Sequence, residues 1–256
     1  VYATTQHYES KVISVLAPHL IDTPYSAAVF ENSSVKDGSW MMMTNIGGDV
    51  EGSLAVYQSV PEQDITAWSL MTPAETSHAT LGQGYFRHVI SDEETAFFIV
   101  ERYVNGNKRL FIEQLSFDAY MDASTIGTQA LASTITGLSE LEGETVVVRG
   151  KVADSDGMSI VATTGVVTAG VVTLAEAVTD YEVGLVWYPE VVPMPMNIPL
   201  PSGNSLYFPK TIRKIYVDFY ESKNIRVDGT LIPPFRIDDD TYNNPASAKT
   251  DFVQFE

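Results

Sequence analysis

The chain of 256 residues contains no cysteine. That excludes disulfides, cysteine-ligated zinc and thiol nucleophiles, and it fits assembly in a reducing compartment. Basic residues are scarce: 15 Lys and Arg stand against 33 Asp and Glu, a formal net charge of −18. A nucleic-acid binder gains most of its affinity by neutralising phosphates, so this chain should repel DNA and anionic membranes over most of its surface. Such an acidic wall lets a polyanion slide past without sticking, although acidic surfaces also serve plain solubility. No apolar run approaches the length that a membrane-spanning helix needs. The start, VYATTQHYES, has neither a charged leader nor an apolar stretch, so no signal peptide is expected; it begins with Val1 rather than Met, as a fragment or processed chain would. Histidine is sparse too. His7, His19, His78 and His88 are scattered and form no H-x-H or H-E-x-x-H pair, so no metal site is expected. A G-x-S-x-G nucleophile elbow is also missing.

What the chain has in abundance is valine and threonine punctuated by glycine. The segment from Gly137 to Gly184 carries Thr145-Val146-Val147-Val148, then Ser159-Ile160-Val161-Ala162, Val166-Val167-Thr168, Val171-Val172-Thr173-Leu174 and Tyr181-Glu182-Val183. Branched Cβ atoms suit a pleated surface and crowd a helix. Turn residues recur at the spacing of hairpins, which predicts a small β-sandwich or barrel.

Residues 39–115 read as a meander of about six strands. They are Ser39–Thr44, Gly52–Gln58, Ile65–Leu70, Gln83–Ile90, Thr95–Val104 and Arg109–Leu115. Asn105-Gly106 between the last two is the strongest two-residue hairpin signal, because both central positions of a type I′ turn need positive φ. Such a meander occurs in propeller blades and in open sheets, but no WD or Kelch repeat is present. Before it, Tyr8–Leu16 has weak helical spacing, and Ala17-Pro18 and Thr23-Pro24 break any helix. Residues 116–136, small and polar, read as a linker carrying a short helix or an extended connection. Residues 187–209 are proline-rich and read as an extended excursion. Beyond it, Thr211–Tyr220 alternates like a half-buried strand, with Ile215, Val217 and Phe219 on its apolar face, and Asn224–Gly229 reads as a turn.

Chemical candidates are few. Asp154-Ser155-Asp156-Gly157 starts like a calcium loop but lacks the later Glu and the flanking helices. Glu101 and Glu113 could work as an acid pair only if one face brought them close, as in a glycosidase. Counting out from the hairpin turn pairs Val104 with Asn107 and Arg102 with Arg109, so Arg102 does not stand opposite Glu113. Trp40, Trp68 and Trp187 could stack on sugars, with core packing as the plainer expectation. In Val191-Val192-Pro193-Met194-Pro195-Met196, apolar residues on a proline-rich arm cannot all reach a local core, and methionine adapts to uneven partners. Val192, Pro193, Met194 and Met196 are therefore candidates for a subunit interface.

Taken in order, five blocks point to one family: GSLAVYQSVPEQDITAWSLMT, GYFRHVISDEETAFFIVERYVNGNKRLFIEQL, ITGLSELEGETVVVRGKVADSDG, VVTLAEAVTDYEVGLVWYPEV and KTIRKIYVDFYESKNIRVDG. The series resembles the tail nozzle proteins of short-tailed bacteriophages, also called tail tubular protein B, over roughly residues 50–230. The resemblance implies a non-enzymatic virion structural protein with no cofactor, assembled in the host cytoplasm and located in the tail. It implies an all-β fold: a propeller-like or meander platform with an inserted small β-sandwich or barrel module. It further implies a hexameric ring beneath portal and adaptor proteins, through which double-stranded DNA leaves. The expected division is a platform over 1–125, the valine-rich module over 126–190, and the proline-rich arm with return strands over 191–256. Asp154, Asp156, Asp238, Asp239 and Asp240 are the candidates for an acidic channel surface. A tail-associated carbohydrate- or receptor-binding β-protein is the alternative, and a glycoside hydrolase remnant a third possibility.

Overall fold

A computed structural model describes residues 17–31, 39–60, 65–77, 82–92, 94–152, 159–192, 199–200, 203–204, 209, 211, 213–222, 225–231 and 249–255. The expected helix over Tyr8–Leu16 lies outside these residues. Among the described residues the fold is all-β, with two short 3-10 turns, Pro18–Leu20 and Ser139–Leu141.

The first sheet is an antiparallel meander of β1 (Pro24–Glu31), β2 (Ser39–Asn45), β3 (Leu54–Val60) and β4 (Ile65–Met71). The second is a meander of β5 (Tyr85–Asp92), β6 (Thr95–Val104) and β7 (Asn107–Gln114). The meander is thus observed, with one strand more than the sequence suggested. Strand β1 is the addition: Pro24 sits at its first residue, where a missing N–H costs no ladder bond. The hairpin between β6 and β7 has Asn105 and Gly106 at φ of 50° and 72°, the type I′ values.

One face of each sheet meets the other. Ala28, Phe30, Met42, Leu54 and Val56 from the first sheet share a core with Phe86, Val89, Ala96, Phe98 and Val100 from the second. The two sheets converge at β1 and β5, where the Ser26 hydroxyl donates to the Val89 carbonyl at 2.8 Å and accepts its N–H at 3.2 Å. Ser91 Oγ donates to the Val29 carbonyl at 2.8 Å nearby. This stitching joins the two sheets along one edge of the sandwich.

Strands β8 (Asp122–Thr136), β9 (Thr145–Val152), β10 (Ser159–Val166) and β11 (Val171–Leu185) form one antiparallel sheet in the order β10-β9-β11-β8. The sheet curls round its own core, in which Ile135, Val146, Val148, Val172, Val183 and Leu185 are buried. Residues 122–136 are a full strand of this sheet and not a connection, because β11 supplies a ladder along nearly their whole length. Strand β11 also runs unbroken where two short strands were expected, bulging at Thr173/Val178 and Val178/Asp180 to follow the curl. Glycines permit the tight radius. A Cβ on Gly150 would stand 2.7 Å from Val178 Cγ1, and one on Gly165 would stand 2.5 Å from Val172 Cγ2.

The remaining described elements are ribbons. They are β12 (Pro199–Leu200) with β13 (Gly203–Asn204), β14 (Ile215–Ser222) with β17 (Lys249–Phe255), and β15 (Arg226–Val227) with β16 (Thr230–Leu231). The expected strand over Thr211–Tyr220 begins four residues later, at Ile215. The turn expected over Asn224–Gly229 is the Asp228-Gly229 corner between β15 and β16, again with both φ positive.

Candidate functional site

The polar chemistry of the molecule gathers where the module meets the sandwich. Its centre is Arg102 on β6. Alternation along β6 puts Phe98, Val100, Arg102 and Val104 on the inner face, so the strand carries a guanidinium into a position built for an apolar side chain. Arg102 is completely buried. Its Nη1 donates to the Ala74 carbonyl at 3.0 Å. Nε and Nη2 form a fork on Glu113, with contacts of 3.1–3.2 Å, and Nη2 also donates to Asp122 Oδ2 at 2.7 Å. The Ala74 N–H returns to Asp122 Oδ2 at 2.5 Å. One guanidinium thus ties three segments together: β7, the irregular segment that follows β4, and the first residue of β8. A buried Arg is tolerated only when its donors are met in this way.

The register matches the count from the turn: Val104 faces Asn107 and Arg102 faces Arg109. Glu113 stands opposite Phe98, and Arg102 reaches it along the inner face across the intervening pair. Glu101 stands opposite Leu110 on the outer face. Glu101 and Glu113 therefore lie on opposite faces of the sheet and cannot act on one substrate.

Their surroundings push the two carboxyls in opposite directions. Burial raises Glu113 above the ordinary glutamate range, and repulsion from Asp122 adds to it, against the pull of Arg102. Burial also works to raise Glu101, but hydrogen bonds and charge from Arg87 and Lys108 outweigh it and hold this carboxyl low. Arg87 Nε lies 2.9 Å from one Glu101 oxygen and Lys108 Nζ lies 2.8 Å from the other.

Three more carboxylates fasten backbone. Glu144, 1% exposed, accepts the N–H of Ser77 at 2.6 Å and of Asn105 at 3.3 Å, so the module holds both the 72–77 segment and the hairpin turn. Glu182 accepts the N–H groups of Tyr120 and Met121 at 2.6 and 2.9 Å. Arg149 stands 3.7 Å from Glu182 and lays its guanidinium 4.0 Å over the Tyr120 ring. Glu142 accepts from Ala169 and Gly170 at 2.8 and 2.7 Å and fixes the turn between β10 and β11.

Beside this joint runs an open cleft of about 820 Å³, lined by Met71, Phe111, Glu113, Tyr120, Asp122 and Trp187 among others. Its size suits a small ligand. Of the tryptophans, Trp187 lies on this cleft, Trp40 stacks on Phe30 beside the sandwich core, and Trp68 packs against Tyr57 on the outer face of the first sheet.

Among the interface candidates, Val192 is 78% exposed, while Pro193, Met194 and Met196 lie outside the described residues. Asp154, Asp156, Asp238, Asp239 and Asp240, the candidates for an acidic channel surface, lie outside them as well. So do His7 and His78. His88 Nδ1 pairs with the Ser26 hydroxyl at 2.5 Å. Among the described residues no group of three His, Cys, Asp or Glu side chains could hold a metal ion, and no helix is long and apolar enough to cross a membrane.

Sequence reasoning missed Asp122, Glu144 and Glu182 as joint residues. The parity of Arg102 within its apolar strand was the available signal: a charge in phase with Phe98, Val100 and Val104 must meet buried carboxylates. The fold and this joint define an all-β protein of two packed modules held by buried ionic fasteners. No family model matches the chain, and no curated protein matches it.

Proposed function

We propose that the chain is a structural protein of the bacteriophage virion, a tail nozzle or tail tube component that forms a ring-shaped conduit for genome ejection. One observation carries this. The blocks that resemble the nozzle family supply Arg102, the Asn105-Gly106 turn and Glu113, and the Gly-Leu-x-x-Leu-Glu-Gly block supplies Leu138, Leu141 and Glu142. These residues fasten one module to the other, or close the module's own core and turn. Their polar groups are consumed by each other and by backbone, which suits a part that must keep its shape and leaves little for turnover of a substrate. On this proposal the chain acts without a cofactor, in a homo-oligomer expected to be hexameric, against portal and adaptor proteins in the virion tail. Net charge of −18 keeps the wall from binding the passing duplex.

Electron microscopy of the purified chain, alone and mixed with the portal–adaptor complex, tests the proposal. The expected result is sixfold rings capping the adaptor, with a channel wide enough for duplex DNA. Monomers that never bind the adaptor would remove it.

The cleft beside the joint favours a second reading, a tail-associated carbohydrate- or receptor-binding protein. Trp187 and Tyr120 offer rings on its wall, the kind of surface that stacks on sugars. A glycan array decides it: binding that is lost in Trp187→Ala supports this reading, and an array without hits removes it.

A further inference from the structure

The open cleft runs along a bare strand edge. Successive side chains of a strand point to opposite faces, so consecutive residues line one cleft only where the cleft follows the edge. Phe111, Ile112, Glu113 and Gln114 of β7 line this one without a gap. Strand β7 is the outermost of its sheet. The phase of its ladder says which backbone groups are taken. Leu115 donates its N–H to the Ala96 carbonyl at 2.8 Å, and the register to β6 runs without a shift from Val104↔Asn107 to Phe97↔Gln114. In an antiparallel pair every second residue bonds its partner. Phe111 and Glu113 therefore aim N–H and C=O at β6, whereas Leu110, Ile112 and Gln114 aim theirs away from it. Among the described residues no other backbone meets these outward groups.

We propose that this edge is a binding site for an extended peptide of another protein, which adds to β7 as a further strand with uncharged, alternately apolar side chains. Three observations select that ligand. The outward groups of Leu110, Ile112 and Gln114 recur at every second residue, a spacing that another extended backbone matches. The carboxylates on the cleft are already engaged, Glu113 and Asp122 by Arg102 and Glu140 by Arg109, and Glu182 holds the N–H groups of Tyr120 and Met121. Recognition is thus left chiefly to the β7 backbone. The cleft is also apolar at depth: it reaches Met71 and the buried rings of Phe86 and Phe98, and Leu138 and Leu141 of the module add to its lining. An added strand turns alternate side chains toward these residues and the others toward Leu110 and Ile112, which are 65% and 84% exposed. Strand β8, on the same cleft, offers no equivalent edge. Its register to β11 breaks between Val183 and Leu185, and Ala123, at a φ of 48°, gives its N–H to Asp122.

The free stretch sets the length. From Leu110 to Gln114 is about 14 Å at ~3.4 Å per residue, so a strand of roughly five residues engages it. Lys108 and Arg109 mark its limit toward the hairpin turn, since charges on an edge deter pairing. Glu113, the other charge on β7, is turned inward to Arg102. The site does not depend on the nozzle proposal. It occupies the cleft of the sugar reading, and the two differ in what they use: backbone N–H and C=O groups here, ring faces there.

A phage-displayed library of random linear nonapeptides, selected on the wild-type chain, supplies the probe. The peptides recovered should carry apolar residues at alternate positions and few Asp or Glu. The best of them is then synthesised in two N-methylated forms, one methylated at odd and one at even positions. One form should bind about tenfold more weakly than the parent or worse and the other nearly as well, since only one set of its N–H groups faces β7. Ile112→Pro should weaken the parent by a similar factor, because it removes an outward N–H and no bond of the β6–β7 ladder; circular dichroism checks its fold. A library without binders, two methylated forms that bind alike, or a folded Ile112→Pro that binds like wild type would each overturn the proposal. Should Ile112→Pro lose its fold, the methylated pair, which leaves the protein untouched, decides. Sedimentation velocity of the wild-type chain tests the other source of a strand: dimers that Ile112→Pro abolishes would assign the edge to a second copy and overturn the foreign ligand. Glycan binding lost in Trp187→Ala, with an empty peptide selection, would assign the cleft to a sugar instead.

Discussion

The two modules solve the same problem differently. In the valine-rich module, β9 alternates strictly, with Val146, Val148, Gly150 and Val152 buried and Thr145, Val147, Arg149 and Lys151 facing outward. One curled sheet encloses one core and presents mostly polar residues to water. The sandwich instead carries Phe, Ile and Met on both faces of its strands, as in Phe97-Phe98-Ile99-Val100 and Met41-Met42-Met43. The module keeps its apolar residues on one face, whereas the sandwich strands carry them on two. The difference teaches that strand alternation can be sharp in one region of a chain and blurred in another even when both are all-β.

The joint between them should yield the largest effect. Arg102→Met keeps the volume of the side chain but leaves Glu113 and Asp122 facing each other without a cation. Breaking a buried pair in this way costs about 3–5 kcal/mol. Chemical denaturation followed by intrinsic tryptophan fluorescence measures it. If the joint makes the two modules unfold together, the variant should lose cooperativity and show two transitions. A single transition of wild-type midpoint would mean that the ionic joint contributes nothing. Glu144→Gln is the smaller cut at the same boundary. A carboxylate accepts from both Ser77 and Asn105, whereas an amide offers one oxygen and turns an NH₂ toward the other donor. The expected loss is about 1–3 kcal/mol, with faster hydrogen exchange at the N–H groups of Ser77 and Asn105 as the local signature.

Acid titration separates the joint from the outer face. Glu101 has a folded pKa below its unfolded one, so its contribution is present above the ordinary glutamate range and is lost as pH falls through the lowered value. Glu113 has a folded pKa above its unfolded one, so its contribution is full at low pH and fades as pH rises through the raised value. Glu101→Gln should therefore weaken the protein at neutral pH, by about 1–2 kcal/mol, and flatten its acid lability. Glu113→Gln should cost less at neutral pH and remove the loss of stability that accompanies ionisation. Denaturation midpoints across the acid range check both signs; equal slopes for the two variants would contradict the opposite environments.

Much of this architecture is legible in the sequence where local chemistry decides it. The hairpin at Asn105-Gly106 and the strand Thr95–Val104 follow from turn residues and alternation, and the observed bounds agree; the valine-rich strands follow from branched Cβ atoms but run longer than expected, as Thr145–Val152, Ser159–Val166 and Val171–Leu185. Strand β8 was obscured because Ala-Ser-Thr-Ile-Gly-Thr-Gln-Ala has no apolar face of its own; it is held by the ladder to β11, a partner distant in sequence. Strand β1 was hidden by the proline at its edge. The joint is the clearest case of partial legibility. The parity of Arg102 announces a buried charge, but its partners Asp122 and Ala74 come from separate segments that only the tertiary fold brings together. The net charge misled in a related way: Glu101, Glu144 and Glu182 are counted as acidic surface by composition, yet all three are buried acceptors.

The smallest expected effect lies in the module's most ordinary corner. Ala169 and Gly170 turn the chain from β10 to β11 with φ of 54° and 70°. Glycine takes the left-handed region freely, but alanine suffers a close approach of its Cβ to the backbone, at roughly 1 kcal/mol. Asparagine is the preferred residue at this position of a type I′ turn, as the Asn105-Gly106 hairpin of the sandwich illustrates. Glu142 holds the corner through the backbone N–H groups of both residues, which any side chain leaves intact. Ala169→Asn should therefore stabilise the module by about 0.5–1 kcal/mol. In Arg102→Met, where the modules are expected to unfold separately, the same change should raise the midpoint of the module's transition and leave that of the sandwich in place. A shift of both midpoints would show that the corner still communicates with the sandwich after the joint is cut.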